Sequence, residues 1–290
     1  MLENILEVNG LYKAYANSDF GLNNISFSIP SGSIVGFIGE NGAGKTTTME
    51  TILGLLRKDS GQIKLFGEEV DSLEGAMKEQ VGVVFDHMNF SKDLVVGKLS
   101  NVLSNIYQQW DEATFFHYVR HFSLPKKKKI KDFSRGMTMK LALAVAFSHD
   151  SKLLILDEAT AGLDPVARDE MLDVFLDFVK DREHSILLSS HITTDIEKIA
   201  DYLVFIKKGR ILLRVSKRDL LENYAIVQGK SSEIAKLHNV IAHRDMGDVT
   251  EALVADKASL PIELNQLDFS IDAITMLLMK GENHERAIVK

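Results

Sequence analysis

The chain has 290 residues, 45% of them hydrophobic and 26% charged, enough to bury a sizeable core in one large domain plus something smaller. A net charge of −7 and a pI near 5.7 argue against a protein whose main work is wrapping nucleic acid or clinging to anionic lipid, so no nucleic-acid partner is expected. The absence of cysteine excludes disulfides and thiolate metal sites.

In chain order, MLENILEVNGLYKAY opens without a charged leader, an apolar core or a cleavage site, and no signal peptide is expected. ISFSIP, turned by Pro30, Ser31 and Gly32, leads into the apolar run IVGFI at 34–38. A helix is predicted over Lys45 to Leu56, where Met49, Ile52, Leu53 and Leu56 recur at i, i+3, i+4 and i+7. Residues 87–150 lack strand-like runs and carry helical patterns such as DEATFFHYVRHF and TMKLALAVAFSH, which predicts an inserted helical subdomain. KLLILD, a helix entered through Asp164 and Pro165, the strand SILLSS and the hairpin YLVFIKKGRILL then complete an α/β fold with a largely parallel sheet. This reading puts one domain at 1–216. The texture changes after it, and 217–290 reads as a small α+β appendage of two or three strands and two helices. Lys126 to Lys129 reads as a solvated loop. The longest apolar runs, LALAVAF and KLLIL, fall far short of the roughly 20 residues that cross a bilayer, so any membrane connection is expected to come through a partner.

Two stretches carry chemistry. GENGAGKT, residues 39–46, matches the phosphate-binding loop GxxxxGK(S/T) and stands where that loop must stand, between a strand and a helix. Backbone N–H groups over Gly39, Asn41, Gly42, Ala43, Gly44, Lys45, Thr46 and Thr47 are candidates to curl around phosphate oxygens at a helix N-terminus. Lys45 would lie against the β and γ phosphates and the Thr46 hydroxyl would bind Mg²⁺. LLILDEAT, residues 153–160, is an apolar strand that delivers Asp157 and Glu158 at its end. Asp157 could hold Mg²⁺ through water, and Glu158 could polarise the water that attacks the γ-phosphate.

KDFSRGMTMKLALAVAF resembles the signature motif of ATP-binding cassette (ABC) ATPases, with Ser134 and Gly136 at matching positions. The family pattern LSGGQ reads FSRGM here, so Phe133, Arg135 and Met137 depart from it. The remaining motifs follow in family order over residues 1–215. LYKAY resembles the segment whose aromatic residue stacks on adenine, pointing to Tyr15. AGLDP resembles the D-loop, with Asp164 as its acid, and SSHITTDIEKIAD resembles the switch-histidine segment, which puts His191 near the γ-phosphate. One position stands out: VGVV runs into Phe85 and Asp86, where the family carries proline and glutamine. Aspartate still offers oxygen to a hard cation, so Asp86 joins Thr46 and Asp157 as a candidate metal ligand.

The resemblance implies a P-loop nucleotide-binding domain that binds ATP and Mg²⁺ and pairs head to tail with a second ABC ATPase, as a homodimer or a heterodimer. It also implies an integral membrane permease as partner, with the chain cytoplasmic and peripheral on the inner face of the cell membrane. The appendage and the FSRGM variant look most like Gram-positive exporter ATPases that handle antimicrobial or toxic peptides. The alternatives are a soluble ABC protein of translation or DNA repair and a cassette that binds ATP only as a regulatory module.

Overall fold

The computed structural model describes residues 3–16, 18–85, 90–261 and 264–283. Asp86, singled out above, lies outside the described residues. Two long strands, β1 (Asn4–Tyr15) and β2 (Ser18–Pro30), precede β3 (Ile34–Ile38) and helix α1 (Lys45–Ile52). Then come β4 (Ser60–Leu65), β5 (Glu68–Glu69), α2 (Ala76–Glu79), β6 (Val81–Val84), α3 (Val96–Leu103), α4 (Glu112–His121) and α5 (Arg135–Ala146). β7 (Leu153–Asp157), α6 (Pro165–Phe178), β8 (Ser185–Ser190), α7 (Thr193–Ile199), β9 (Tyr202–Lys207), β10 (Arg210–Ser216) and α8 (Lys217–Asn223) follow. The chain continues through β11 (Tyr224–Gly229), α9 (Ser231–Ile234), β12 (Val240–Asp245), β13 (Thr250–Ala255), β14 (Asn265–Gln266), α10 (Ile271–Lys280) and β15 (Glu282–Asn283).

The central sheet has the order β10-β9-β3-β8-β7-β6, with β9, β3, β8, β7 and β6 mutually parallel and β10 antiparallel at one edge. Every residue of β3, β7 and β8 is buried, which is why they carry the unbroken apolar stretches IVGFI, LLIL and ILL: a parallel sheet is covered on both faces. On one face, Val35, Phe37, Ile155 and Leu187 pack with Leu6, Val8 and Phe27 of the antiparallel sheet β2-β1-β4-β5 and with Met49 and Ile52 of α1. On the other, Ile34, Ile38, Leu154, Leu156 and Leu188 pack with α5, α6 and α7. Gly36 makes the approach of α7 possible, because a Cβ there would lie 2.5 Å from Ile196 Cγ2.

Three expectations need correction. α1 stops at Ile52 rather than Leu56: Gly54 sits at φ +70, in the left-handed region where a glycine ends a helix cheaply, and a Cβ there would lie 2.7 Å from Ser72 Cα. Within the stretch read as a helical insertion, α5 packs against the sheet itself, since Ala146 Cβ lies 3.1 Å from where a Cβ on Gly82 of β6 would stand. Among the described residues the C-terminal region builds five strands, not two or three, in the antiparallel order β14-β11-β13-β12-β15. Its helix α10 places Ile271, Ile274 and Leu278 in the same apolar cluster as Ile196 and Ile199 of α7. The C-terminal sheet thus has an apolar face continuous with the main core.

Candidate nucleotide site

The parallel strands end on one side, where open α/β sheets bind ligands. β3 runs there into Gly39–Gly44, which turns into α1 with Gly42 at φ +78 and Gly44 at φ +112. Gly39 is fixed by crowding, because a Cβ would meet the Ile206 carbonyl oxygen at 2.5 Å. A cavity of about 230 Å³ opens over this loop, lined by Asn41, Gly42, Thr47 and Phe20 among others, with Lys45, Thr46, Asp157 and Glu158 in its wall.

Lys45 is 5% exposed. Its ammonium donates to the Gly39 carbonyl at 2.7 Å and lies 3.4 Å from Glu158 Oε1. The Thr46 hydroxyl donates to Asp157 Oδ2 at 2.6 Å, and the Ser189 hydroxyl donates to Asp157 Oδ1. Hydroxyl and carboxylate oxygen side by side at a phosphate loop suit a hard cation such as Mg²⁺. Among the described residues no group of three or more acidic or histidine side chains converges.

Glu158 holds a left-handed backbone, φ +55, a conformation that costs a non-glycine residue on the order of 1 kcal/mol and persists only where neighbours enforce it. Here its N–H is held by the Ser189 carbonyl at 3.2 Å and the Ser189 hydroxyl at 3.1 Å. The carboxylate consequently spans two groups: Oε1 faces Lys45, and Oε2 accepts from His191 Nδ1 at 2.6 Å. Oε1 is buried without a hydrogen-bond partner. The His191 side chain is 56% exposed. Glu50, one turn along α1 from Thr46, has its carboxyl raised by burial and by the nearby Asp157 charge.

Sequence reasoning missed three contributors. Phe20 lines the cavity wall and Tyr15 does not, though its ring stacks on Phe20 with centroids 6.2 Å apart. Nothing but its place near the start of β2 could have flagged it. Ser189 was legible only as the polar break at the end of SILLSS. Glu50 reads as an ordinary surface acid. The structure gathers Lys45, Thr46, Asp157, Glu158 and His191, but leaves Ser134, Gly136 and Asp164 elsewhere. Ser134 caps α5 by accepting from Met137 N at 3.2 Å. Asp164 caps α6 by accepting from Ala167 N and Val166 N, bonds that hold its carboxyl below the usual range, the Ala167 bond foremost. These two helix starts adjoin, because a Cβ on Gly136 would lie 3.2 Å from Leu163 Cδ2.

A loop cradling phosphate, a hydroxyl–carboxylate pair beside it and an acid held between lysine and histidine define a nucleotide-hydrolysing P-loop domain. The family model described as "ABC transporter" matches residues 22–161. The chain is 32% identical over 262 residues to the bacitracin transport ATP-binding protein BcrA of Bacillus licheniformis, covering 84% of each. It is 33% identical to the lantibiotic transport ATP-binding protein SrtF of Streptococcus pyogenes, over 72% of this chain and 90% of that one. A solved structure of an ATP-binding subunit of an ABC transporter matches with TM-score 0.67 and 28% identity, over 74% of this chain and 91% of its own. The chain belongs to the ABC transporter family, as an ATP-binding subunit whose ATPase activity is coupled to transport. Among the described residues no helix is long and apolar enough to cross a membrane.

Proposed function

We propose that this chain powers the export of antimicrobial or toxic peptides through a separate membrane permease, working as a head-to-tail pair of ATPase subunits on the inner face of the membrane. The observation that carries the catalytic part is the placement of Glu158 between Lys45 and His191, next to Thr46 and Asp157. Phe20, backed by Tyr15, offers its face to the adenine. The loop N–H groups and Lys45 hold the phosphates. Thr46 and Asp157 would hold Mg²⁺, with Asp86, two residues past the end of β6 in the sequence, as a further oxygen ligand, and the ion would supply charge neutralisation at the phosphates. Glu158 takes a proton from the attacking water, while His191 fixes the carboxylate and reaches the γ-phosphate. Ser134 and Gly136, remote from the cavity of their own chain, serve the ATP held by the partner subunit. The cargo rests on the transport functions named for BcrA and SrtF.

The cargo is tested by expressing the chain with its permease in a susceptible host and challenging it with bacitracin and a lantibiotic. Raised tolerance with the wild-type chain, absent with Glu158→Gln, supports the proposal. Equal tolerance with both chains, or no tolerance to either peptide, removes it.

A further inference from the structure

Arg168 on α6 and Asp195 on α7 are not part of the nucleotide site, yet they lie between the segment before α6 and the helix that follows His191. Arg168 Nη2 donates to the carbonyl of Leu163, in the segment just before α6, at 3.2 Å. The Nε of the same guanidinium faces Asp195 Oδ2 at 3.9 Å. The Asp195 side chain is only 5% exposed, and a buried carboxylate is retained where a cation answers it. Both facing atoms, Arg168 Nε and Asp195 Oδ2, are buried with no hydrogen-bond partner. The pair is therefore in ionic contact, but at 3.9 Å it lies beyond hydrogen-bonding distance.

What each end holds gives this pair a use. Leu163 packs beside Gly136 of the signature segment. Asp195 stands on the first turn of α7, four residues after His191. α7 has other neighbours as well: Ile196 fills the space left by Gly36, Ile271 and Ile274 of α10 join its apolar cluster, and the Thr193 hydroxyl donates to Asp272 Oδ1 at 3.4 Å. Packed against the sheet and α10, α7 meets the Leu163 segment by a polar side-chain contact through Arg168.

We propose that Arg168 and Asp195 are positioning residues that link the Leu163 carbonyl to α7, so that a displacement of the signature and D-loop segments shifts His191 relative to Glu158. Closing the Arg168–Asp195 gap draws α7 toward α6 and carries the His191 segment with it. Guanidinium is suited to this because its planar fork addresses a carbonyl and a carboxylate at once, which an ammonium does not. The inference rests on the reading of Glu158 and His191 as catalytic groups, and its test has one arm independent of that reading.

The full-length chain is compared with Asp195→Asn, Arg168→Gln and the double variant. Each single change is expected to lower kcat about tenfold with KM within about twofold, and the double change to cost no more than either single one, because both break one link. Asp195→Glu, which keeps the charge, should recover part of the loss. Independently of hydrolysis, Asp195→Asn should speed amide hydrogen exchange across residues 160–167 without nucleotide. Should Asp195→Asn fail to fold, Arg168→Lys takes its place in both arms, being the less buried partner. Additive losses, kcat within twofold of wild type in both single variants, or unchanged exchange over 160–167 would each overturn the proposal. If Glu158 proved not to be the base while the exchange effect appeared, the catalytic reading would fail and the link would stand.

Discussion

Glu158 Oε2 and His191 Nδ1 lie 2.6 Å apart across the ends of β7 and β8. That hydrogen bond ties the end of one parallel strand to the segment that follows the other, and it directs the remaining carboxylate oxygen at Lys45, 3.4 Å away. The positive φ of Glu158 is what turns its side chain toward both partners.

Lys45 has its charge inside the phosphate loop. Lys45→Ala should raise the ATP dissociation constant by about 10–100-fold, as expected for loss of a charge-assisted contact to phosphate. Equilibrium binding of a fluorescent ATP analogue measures this, and an unchanged affinity would refute the phosphate-loop assignment.

Phe20 lines the cavity and the Tyr15 ring stacks on it. Phe20→Ala should weaken ATP binding by about tenfold, the size of one base–aromatic stack, and Tyr15→Ala should weaken it less. Equilibrium titrations with ATP and with inorganic triphosphate should show the Phe20 effect for ATP alone. A larger loss from Tyr15→Ala would return the stacking role to Tyr15.

Gly36 leaves the room that Ile196 occupies. Gly36→Ala should destabilise the fold by about 1–3 kcal/mol through overpacking, read as a shift in the urea midpoint at constant slope. A midpoint equal to wild type would show that α7 can retreat at no cost.

His149 is buried and stacked on Tyr107 at 4.1 Å, with Nδ1 donating to the Glu79 carbonyl at 2.8 Å. Burial is the main cause that pushes its pKa below the ordinary 6.5, partly offset by that carbonyl. The folded value lies below the unfolded one, so the stability it contributes is whole above about 6.5 and is lost as pH falls from there toward the folded value. The melting temperature of wild type should therefore fall more steeply than that of His149→Gln between neutral pH and the onset of general acid unfolding. Parallel curves would contradict it.

Asp86 lies outside the described residues, and its proposed metal contact stands on its place after β6. Asp86→Ala should lower Mg²⁺-dependent turnover about tenfold while leaving the melting temperature unchanged. Normal turnover coupled to transport would refute the role.

What could be read from the chain alone depended on how closely each residue is tied to a strand. Asp157, Glu158 and His191 lie at or just past the ends of β7 and β8, and Lys45 follows the glycine-rich turn after β3. The burial of these strands on both faces explains why their apolar cores IVGFI, LLIL and ILL were visible. β14 and β15 are two-residue strands too short for any period to show, so the C-terminal sheet looked smaller than it is. α1 carried its apolar period past Gly54, and only the left-handed turn against Ser72 reveals the earlier stop. Phe20, and the pairing of Arg168 with Asp195, arise from tertiary contact between segments whose local pattern says nothing of it.

The central claim is that Glu158 activates the attacking water in a site whose phosphate contacts do not depend on it. The most direct measurement is ATP binding and ATP hydrolysis by Glu158→Gln, side by side with wild type. The account predicts affinity within about twofold, hydrolysis slower by at least about 100-fold, and an ATP-dependent dimer on size exclusion that persists because the nucleotide is not consumed. Hydrolysis at the wild-type rate would contradict it.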